Sequence, residues 1–424
     1  MGSGVRRVEA ADEGEVVEIV RAARAAGERV RAAGSGGSKS GITHAPDVAM
    51  HLRAPDRLLS VEDGLVTAPA GMTTRRLQAL LEPEGLALAT VGEWQQATLA
   101  GALATATHGG SAHHGIMATS VRAFRLVTGE AEVVEVRVGD PDFRHAAVSL
   151  GAFGIATEVT LACVPRFRLE LVSDVVSFDD YVRDPVAQES RAEFHASVWM
   201  PGGRRVIRFG AERIGGSAES VPRRERFGRR TALAALVSRR LGLHGAFFER
   251  LVRSRAVGDC ADILSPLEVP SRVARFRNVA NRIRHRNAAE LAVDAARAPD
   301  ILARFDEFFH RYPGPLNNPI GLRLNAADDF SLSPCSGRDT LWLDVFYEDV
   351  EPFTTRFAEL AEEVGARCHW GKALALSPDA LRASYPEWDT WTEARARFDP
   401  EEVFSNPWTD RLGLTGGDRP VRAP

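Results

Sequence analysis

Ala100-Gly101-Ala102-Leu103-Ala104-Thr105-Ala106-Thr107-His108-Gly109-Gly110-Ser111 is a run almost without bulky side chains. Such a stretch buries little apolar surface of its own, so its composition implies that another backbone or a ligand approaches it closely. Upstream, the strand candidate Val30 to Ala33 runs into Gly34-Ser35-Gly36-Gly37-Ser38-Lys39-Ser40-Gly41, a loop that needs backbone conformations open mainly to glycine. A strand feeding a glycine loop can aim several N–H groups at one anion. Two lean segments together can hold a buried pyrophosphate, because donors then converge on it from two sides.

Neither common phosphate motif is present. Lys39-Ser40 invites comparison with the NTPase phosphate loop, but Ser38 stands where that motif wants glycine before the lysine. The dinucleotide fingerprint G-x-G-x-x-G fails as well, since Lys39 occupies its last position after Gly34 and Gly36.

Around these loops the pattern alternates helix and strand. Apolar residues at helical spacing (Val16, Val17, Ile19, Val20, Ala23) with Gly27 after them predict a helix over 11–26. Strands are expected at 47–52, 57–61, 65–69, 121–128, 132–138 and 156–162, and a helix at 73–81. Further strands are expected at 169–178, 194–200, 206–209, 320–324 and 340–347, interleaved with helical stretches. An arginine-rich run from Arg223 to Arg255 has the apolar spacing of an amphipathic helix, read as a solvated face. The fold class is therefore α+β, and 424 residues exceed what one core usually supports, which points to two lobes.

Composition excludes several functions. A net charge of -4 offers no general attraction for nucleic acid. No stretch approaches the roughly 20 apolar residues of a membrane helix, and the N-terminus lacks a signal pattern, which reads as a cytoplasmic chain without a membrane partner. Cys163, Cys260, Cys335 and Cys368 are far apart and without metal-ligand spacing, and the histidines show no paired spacing, so no metal site is expected. Only Lys39 and Lys372 are lysines among 53 basic Lys and Arg residues, which draws attention to both.

The order G-S-G-x-S, A-G-x-x-x-T-x-T-H-G, Gly154-Ile155-x-Thr157 and His369-Trp370-Gly371-Lys372, with Tyr385-Pro386, Asp399-Pro400 and Phe404-x-Asn406 behind, resembles the alditol and aldonolactone oxidases. These are FAD enzymes of the vanillyl-alcohol oxidase type, with a PCMH-type FAD-binding domain. The resemblance covers most of the chain and is weakest between about 170 and 315. It implies a two-lobed fold: an FAD-binding domain over 1–165, an α+β substrate (cap) domain over 166–385, and a C-terminal segment, 386–424, returning to the first lobe. It also implies that Ser35, Gly36, Gly37, Ser38, Gly101, Thr105, Thr107, His108, Gly109 and Ile155 contact the flavin.

Departures from the family carry information too. Many members have histidine where this chain has Gly37, and that histidine is tethered to the flavin; without it FAD is expected to be noncovalent. Lys372 and Arg323 match the family's catalytic cations, whereas Gly321 replaces a glutamate two residues before Arg323. Glu93 stands at a family serine position and Asp344 at a family histidine position, so both are candidate catalytic residues, able to hold a cationic amino group or to move a proton. Either acid can equally be a paired surface residue. Gly92, where related dehydrogenases carry a bulkier residue, is expected to leave space for oxygen. Trp94, Trp342, Phe346 and Tyr347 read as core or as an apolar wall against a sugar.

The expected activity is thus oxidation of a hydroxyl on a polyol, a sugar alcohol, or an amino sugar or aminocyclitol, by hydride transfer to the flavin, with oxygen as acceptor. An aldonolactone dehydrogenase with another acceptor, and a flavin-binding protein without catalysis, are the alternatives.

Overall fold

Asp12 starts the first helix, Glu13–Ala26, by accepting the Glu15 amide at 3.0 Å, and Gly27 ends it in a left-handed turn at φ 64. Val16, Val20 and Ala23 on its buried stripe pack on a three-stranded parallel sheet, ordered Arg6–Ala10, Val48–Leu52, Val30–Ala32. This is a computed structural model, and it describes residues 4–201, 204–214, 254–260, 286–313 and 320–416. The arginine-rich run falls outside the described residues, except for backbone at its end.

A second sheet of five antiparallel strands follows, ordered Ser60–Glu62, Leu65–Pro69, Ile155–Ala162, Val121–Val127, Val133–Arg137. The strand expected at 57–61 is displaced to Ser60–Glu62, three exposed residues at a sheet edge, and Leu58 before it packs on the core instead.

The largest sheet has eight strands, ordered Ser254–Asp259, Arg168–Ser177, Arg205–Ile214, Phe194–Met200, Ile320–Asn325, Thr340–Glu348, Arg286–Asp294, Arg367–Cys368, with antiparallel neighbours throughout. Side chains alternate faces along a strand, which gives this sheet two characters. One face carries Trp199, Leu322, Leu343, Val345 and Tyr347, buried together with the helices Ala298–Arg311 and Phe353–Glu363 through Phe305, Phe308, Phe309, Phe353 and Phe357. The other carries Trp342 and Asp344, and their direct strand partners Arg323, Gly321 and Glu290. Apolar residues on the first face fix the register, so the polar set is aligned on the second without further choice.

Arg31 ties distant segments together. Its buried guanidinium makes five hydrogen bonds to the carbonyls of Ile42, Leu150, Gly151 and Phe404, at 2.6 to 3.0 Å. Burial lowers its pKa to about 10, opposed by Asp399. Asn406 caps Pro407–Arg411 while its amide nitrogen reaches the carbonyls of Ile42 and His44, which fastens the C-terminal part of the chain beside the glycine loop. Among the described residues no helix is long and apolar enough to cross a membrane.

Arg31→Met leaves those carbonyls without a donor in a dry environment. It is expected to lower the unfolding free energy by at least about 3 kcal/mol. Urea unfolding monitored by tryptophan emission measures this; a change below about 1 kcal/mol would show that the four segments do not depend on the guanidinium.

Candidate functional site

Close backbone packing builds the cradle. A Cβ on Gly34 would lie 2.4 Å from Thr98 Oγ1, and one on Gly92 would lie 2.2 Å from Thr107 Cγ2. Thr98 also caps Leu99–Ala104 by accepting the Gly101 amide, and Thr105 Oγ1 donates to the Gly101 carbonyl at 2.9 Å. The Lys39 amide donates to the Gly371 carbonyl at 2.9 Å, joining the glycine loop to the His369–Lys372 segment. Gly36 turns the loop at φ 71. Among the described residues no acceptor takes the amides of Ser35, Gly36, Gly37 or Ser38. Ser35, Gly36 and Gly37 are exposed, so these amides are open to solvent or to a ligand.

A row of charges crosses the polar face of the large sheet. Glu93 Oε2 lies 2.6 Å from Arg323 Nη2, and Arg323 Nη1 lies 3.4 Å from Glu290 Oε1. Glu290 Oε2 lies 3.6 Å from Lys372 Nζ, which lies 3.3 Å from Asp344 Oδ1. Signs alternate along the row, with a carboxylate at each end. Burial pushes the Glu290 carboxyl up, but Lys372 and His108 outweigh it and hold the group well below the usual carboxylate range. Asp344 goes the other way: burial raises it and neighbouring Glu290 adds to the rise, against Lys372. Burial would lower both cations, yet Asp344 and Glu290 raise Lys372, and Glu93 and Glu290 raise Arg323. Both therefore stay charged.

His108 joins the row to the second loop. Its Nε2 is 3.3 Å from Glu290 Oε1, its Nδ1 is 2.9 Å from the Gly109 carbonyl, and its ring stacks on Trp342 with centroids 3.8 Å apart. The Trp342 indole N–H is buried with no acceptor among the described residues, an orphan donor beside the site. His369 Nδ1 accepts the Gly371 amide at 2.9 Å, which puts the ring proton on Nε2. His108, Glu290 and His369 offer ligand atoms within 4.8 Å of one another, a cluster the sequence reading did not anticipate. With Nδ1 of His369 engaged and Nε2 protonated, that ring has no lone pair to offer, and the cluster reads as a hydrogen-bond network rather than an ion site.

Residues expected at the site are sorted by the structure. It brings together Glu93, Arg323, Asp344, Lys372 and His108, and it gathers Ser35 to Ser38, Gly101, Thr105, Thr107 and Gly109 in the loops around them. Ile155 lies elsewhere: its side chain is buried in the small core formed by Val16, Val20, Val127 and Phe404. The volume a side chain on Gly92 would take is filled by the Thr107 methyl, so the glycine there lets the two segments pack closely. The carboxylate expected two residues before Arg323 is not simply lost, since Glu290 reaches the same guanidinium from the neighbouring part of the sheet. Glu290 was missed, although one acid in Asn287-Ala288-Ala289-Glu290-Leu291-Ala292-Val293 is a signal of a buried, paired carboxylate.

Comparison with known proteins agrees with this geometry. Residues 6–137 match the FAD binding domain family, and residues 159–412 match the D-arabinono-1,4-lactone oxidase family. L-gulono-1,4-lactone dehydrogenase of Mycobacterium tuberculosis is 29% identical over 94% of both chains. L-gulonolactone oxidase of Mus musculus is 25% identical over 94% of this chain and 93% of its own. In fold, a cholesterol oxidase from B. sterolicum superposes with a TM-score of 0.73 at 16% identity, over 96% of this chain and 93% of its own. The protein is thus an FAD-dependent oxidoreductase of the vanillyl-alcohol oxidase fold, with FAD as its cofactor. More narrowly, it belongs to the D-arabinono-1,4-lactone oxidase family.

Burial lowers His369 to about 3, although Glu290 opposes this. The unfolded ring takes up a proton near its ordinary value of about 6.5 while the folded ring stays neutral. This group's contribution is therefore full above pH 6.5 and is lost as pH falls, by about 2 kcal/mol between pH 7 and 5. His369→Asn keeps an acceptor for Gly371 and is expected to flatten the decline by that amount. Urea midpoints at both pH values test it, and an unaltered acid slope would assign the sensitivity to other groups.

Proposed function

We propose that the protein oxidises a hydroxyl of a polyhydroxylated small molecule to the carbonyl, with noncovalently bound FAD. The substrate is a polyol, sugar alcohol or sugar lactone, and by preference one bearing an ammonium group, such as an amino sugar or the aminocyclitols of which aminoglycosides are made. One observation carries this: three carboxylates share two cations in the row from Glu93 to Asp344, leaving an excess negative charge at a site built for hydroxyl chemistry.

FAD supplies a hydride acceptor when bound. Ser35 to Ser38 offer amides to its phosphates, and Gly37, lacking a side chain, supplies no tether. Lys372 and Arg323, kept protonated by the carboxylates around them, hold the substrate oxygens and favour the alkoxide as the hydroxyl proton leaves. Asp344 receives that proton, because burial and the neighbouring Glu290 raise its carboxyl and so make it a stronger base than an ordinary carboxylate. Glu290 stays ionised and holds both cations and His108 in place.

A second reading, an aldonolactone dehydrogenase using an acceptor other than oxygen, is favoured by similarity to the mycobacterial dehydrogenase. Peroxide production against reduction of an artificial dye separates it from the oxidase. Cys163, Cys260, Cys335 and Cys368 form no disulfide, which favours a reducing, cytoplasmic setting.

Acid precipitation is expected to leave flavin in the supernatant, and colour in the pellet would refute the noncovalent reading. Anaerobic bleaching of the flavin band should be faster with an aminated polyol than with its neutral analogue or a lactone. Glu93→Gln should lower kcat/KM for the aminated compound about tenfold, as for a lost charge-assisted hydrogen bond, and spare the neutral one. Equal losses on both would remove the ammonium assignment. Asp344→Asn should cost at least about a hundredfold in kcat, and wild-type activity should rise with pH as the Asp344 carboxyl ionises. A variant within tenfold of wild type would place the base elsewhere.

A further inference from the structure

Trp94 is the only aromatic residue among the large apolar side chains left exposed in the described residues, at 45%. Its indole Nε1 lies 2.9 Å, and its Cδ1 3.3 Å, from where a Cβ on Gly37 would stand. The ring thus occupies the space that any side chain at position 37 would need. On one side of it runs the loop whose amides at Ser35 to Ser38 have no acceptor among the described residues. On the other, its chain neighbour Glu93 grips Arg323 and begins the charged row. An indole held against the glycine loop and next in sequence to the first member of the charged row, with almost half its surface uncovered, has the form of a platform for a flat ligand group.

We propose that Trp94 retains the flavin, packing its ring on bound FAD and replacing by contact the anchoring that a side chain at position 37 would give. The assignment rests on the noncovalent reading of the cofactor. The glycine and the tryptophan act as a pair: the absent side chain makes room for the indole, and the indole in turn closes position 37 to any larger residue. No bond to FAD forms or breaks, so retention is an equilibrium that substitution shifts. An exposed side chain serves this purpose better than a buried one, because FAD binding covers apolar surface that folding left open.

Dilution of the holoenzyme, followed through the rise in free-flavin fluorescence, gives the FAD dissociation constant. Trp94→Ala should raise it about tenfold, the scale of one aromatic contact, and Trp94→Phe should recover most of the loss. Gly37→His should raise it as well, since the imidazole displaces the indole, while Gly37→His in a Trp94→Ala background should add little further. Thermal unfolding of the FAD-free forms checks that Trp94→Ala leaves the fold intact, as its exposure implies. Colour confined to the acid pellet would overturn the noncovalent reading and this proposal with it. Released flavin combined with an unchanged dissociation constant in Trp94→Ala would overturn this proposal alone.

Discussion

Glu290 is the constraint on which the rest of the site depends. Its carboxylate is 4% exposed, and an isolated charge so deep would cost several kcal/mol and take up a proton instead. Arg323, Lys372 and His108 stand within 3.3 to 3.6 Å of its two oxygens, and Lys372 and His108 reverse the effect of burial. The dependence is mutual. Each cation is also half-committed to an outer carboxylate, Arg323 to Glu93 and Lys372 to Asp344, so no member can be neutralised without changing the charge state of its neighbours. A network of this kind fixes geometry more firmly than it stabilises the fold, which is what a site that must hold hydroxyl oxygens in place requires.

Position follows from the sheet. Glu290, Asp344 and Gly321 are cross-strand partners in one line, and Arg323 and Trp342 form the next pair along. Gly321 matters here for its size, since a Cβ would press on Asp344 Cβ at 3.2 Å. The second loop is then inserted where two strands separate. The His195 amide donates to the Gly110 carbonyl, the Ser111 amide donates to the Leu324 carbonyl, and His195 Nε2 accepts the Leu324 amide at 2.8 Å. A Cβ on Gly110 would lie 2.0 Å from the His195 carbonyl oxygen, so the small residues of this segment serve protein packing as well as access to a cofactor.

Much of this was legible in the sequence, for identifiable reasons. Elements with a single strong period, such as Phe194–Met200 and Leu65–Pro69, stand where expected, because alternation and bounding turns leave one solution. Lys372 and Arg323 were singled out by family motifs and Glu93 and Asp344 as departures from them, and the structure brings the four side chains to one row. Glu290 was not found, because the sequence carries no distance between residues 290 and 323 until the strands pair. What Gly92 packs against was illegible for a related reason: a missing side chain shows that room is needed, but only the packed structure shows that a methyl of Thr107 fills it. Ile155 sits next to a motif glycine, yet alternation along Ile155–Ala162 turns its side chain into the core.

Alternation in the charged row also determines where selectivity can reside. The three inner groups each have an oppositely charged neighbour on both sides in the row, so replacing one of those partners with a substrate would break a buried pair at a cost of several kcal/mol. The end groups have one partner each, and they differ in access: the Asp344 side chain is 9% exposed and that of Glu93 is 41% exposed. A cation arriving from solvent can therefore pair with Glu93 at little desolvation cost, whereas Asp344 is reached only by a group already seated between the sheet and the loops. On the proposed reading, recognition at the open end and proton transfer at the closed end would be separated along one row, with Glu290 between them.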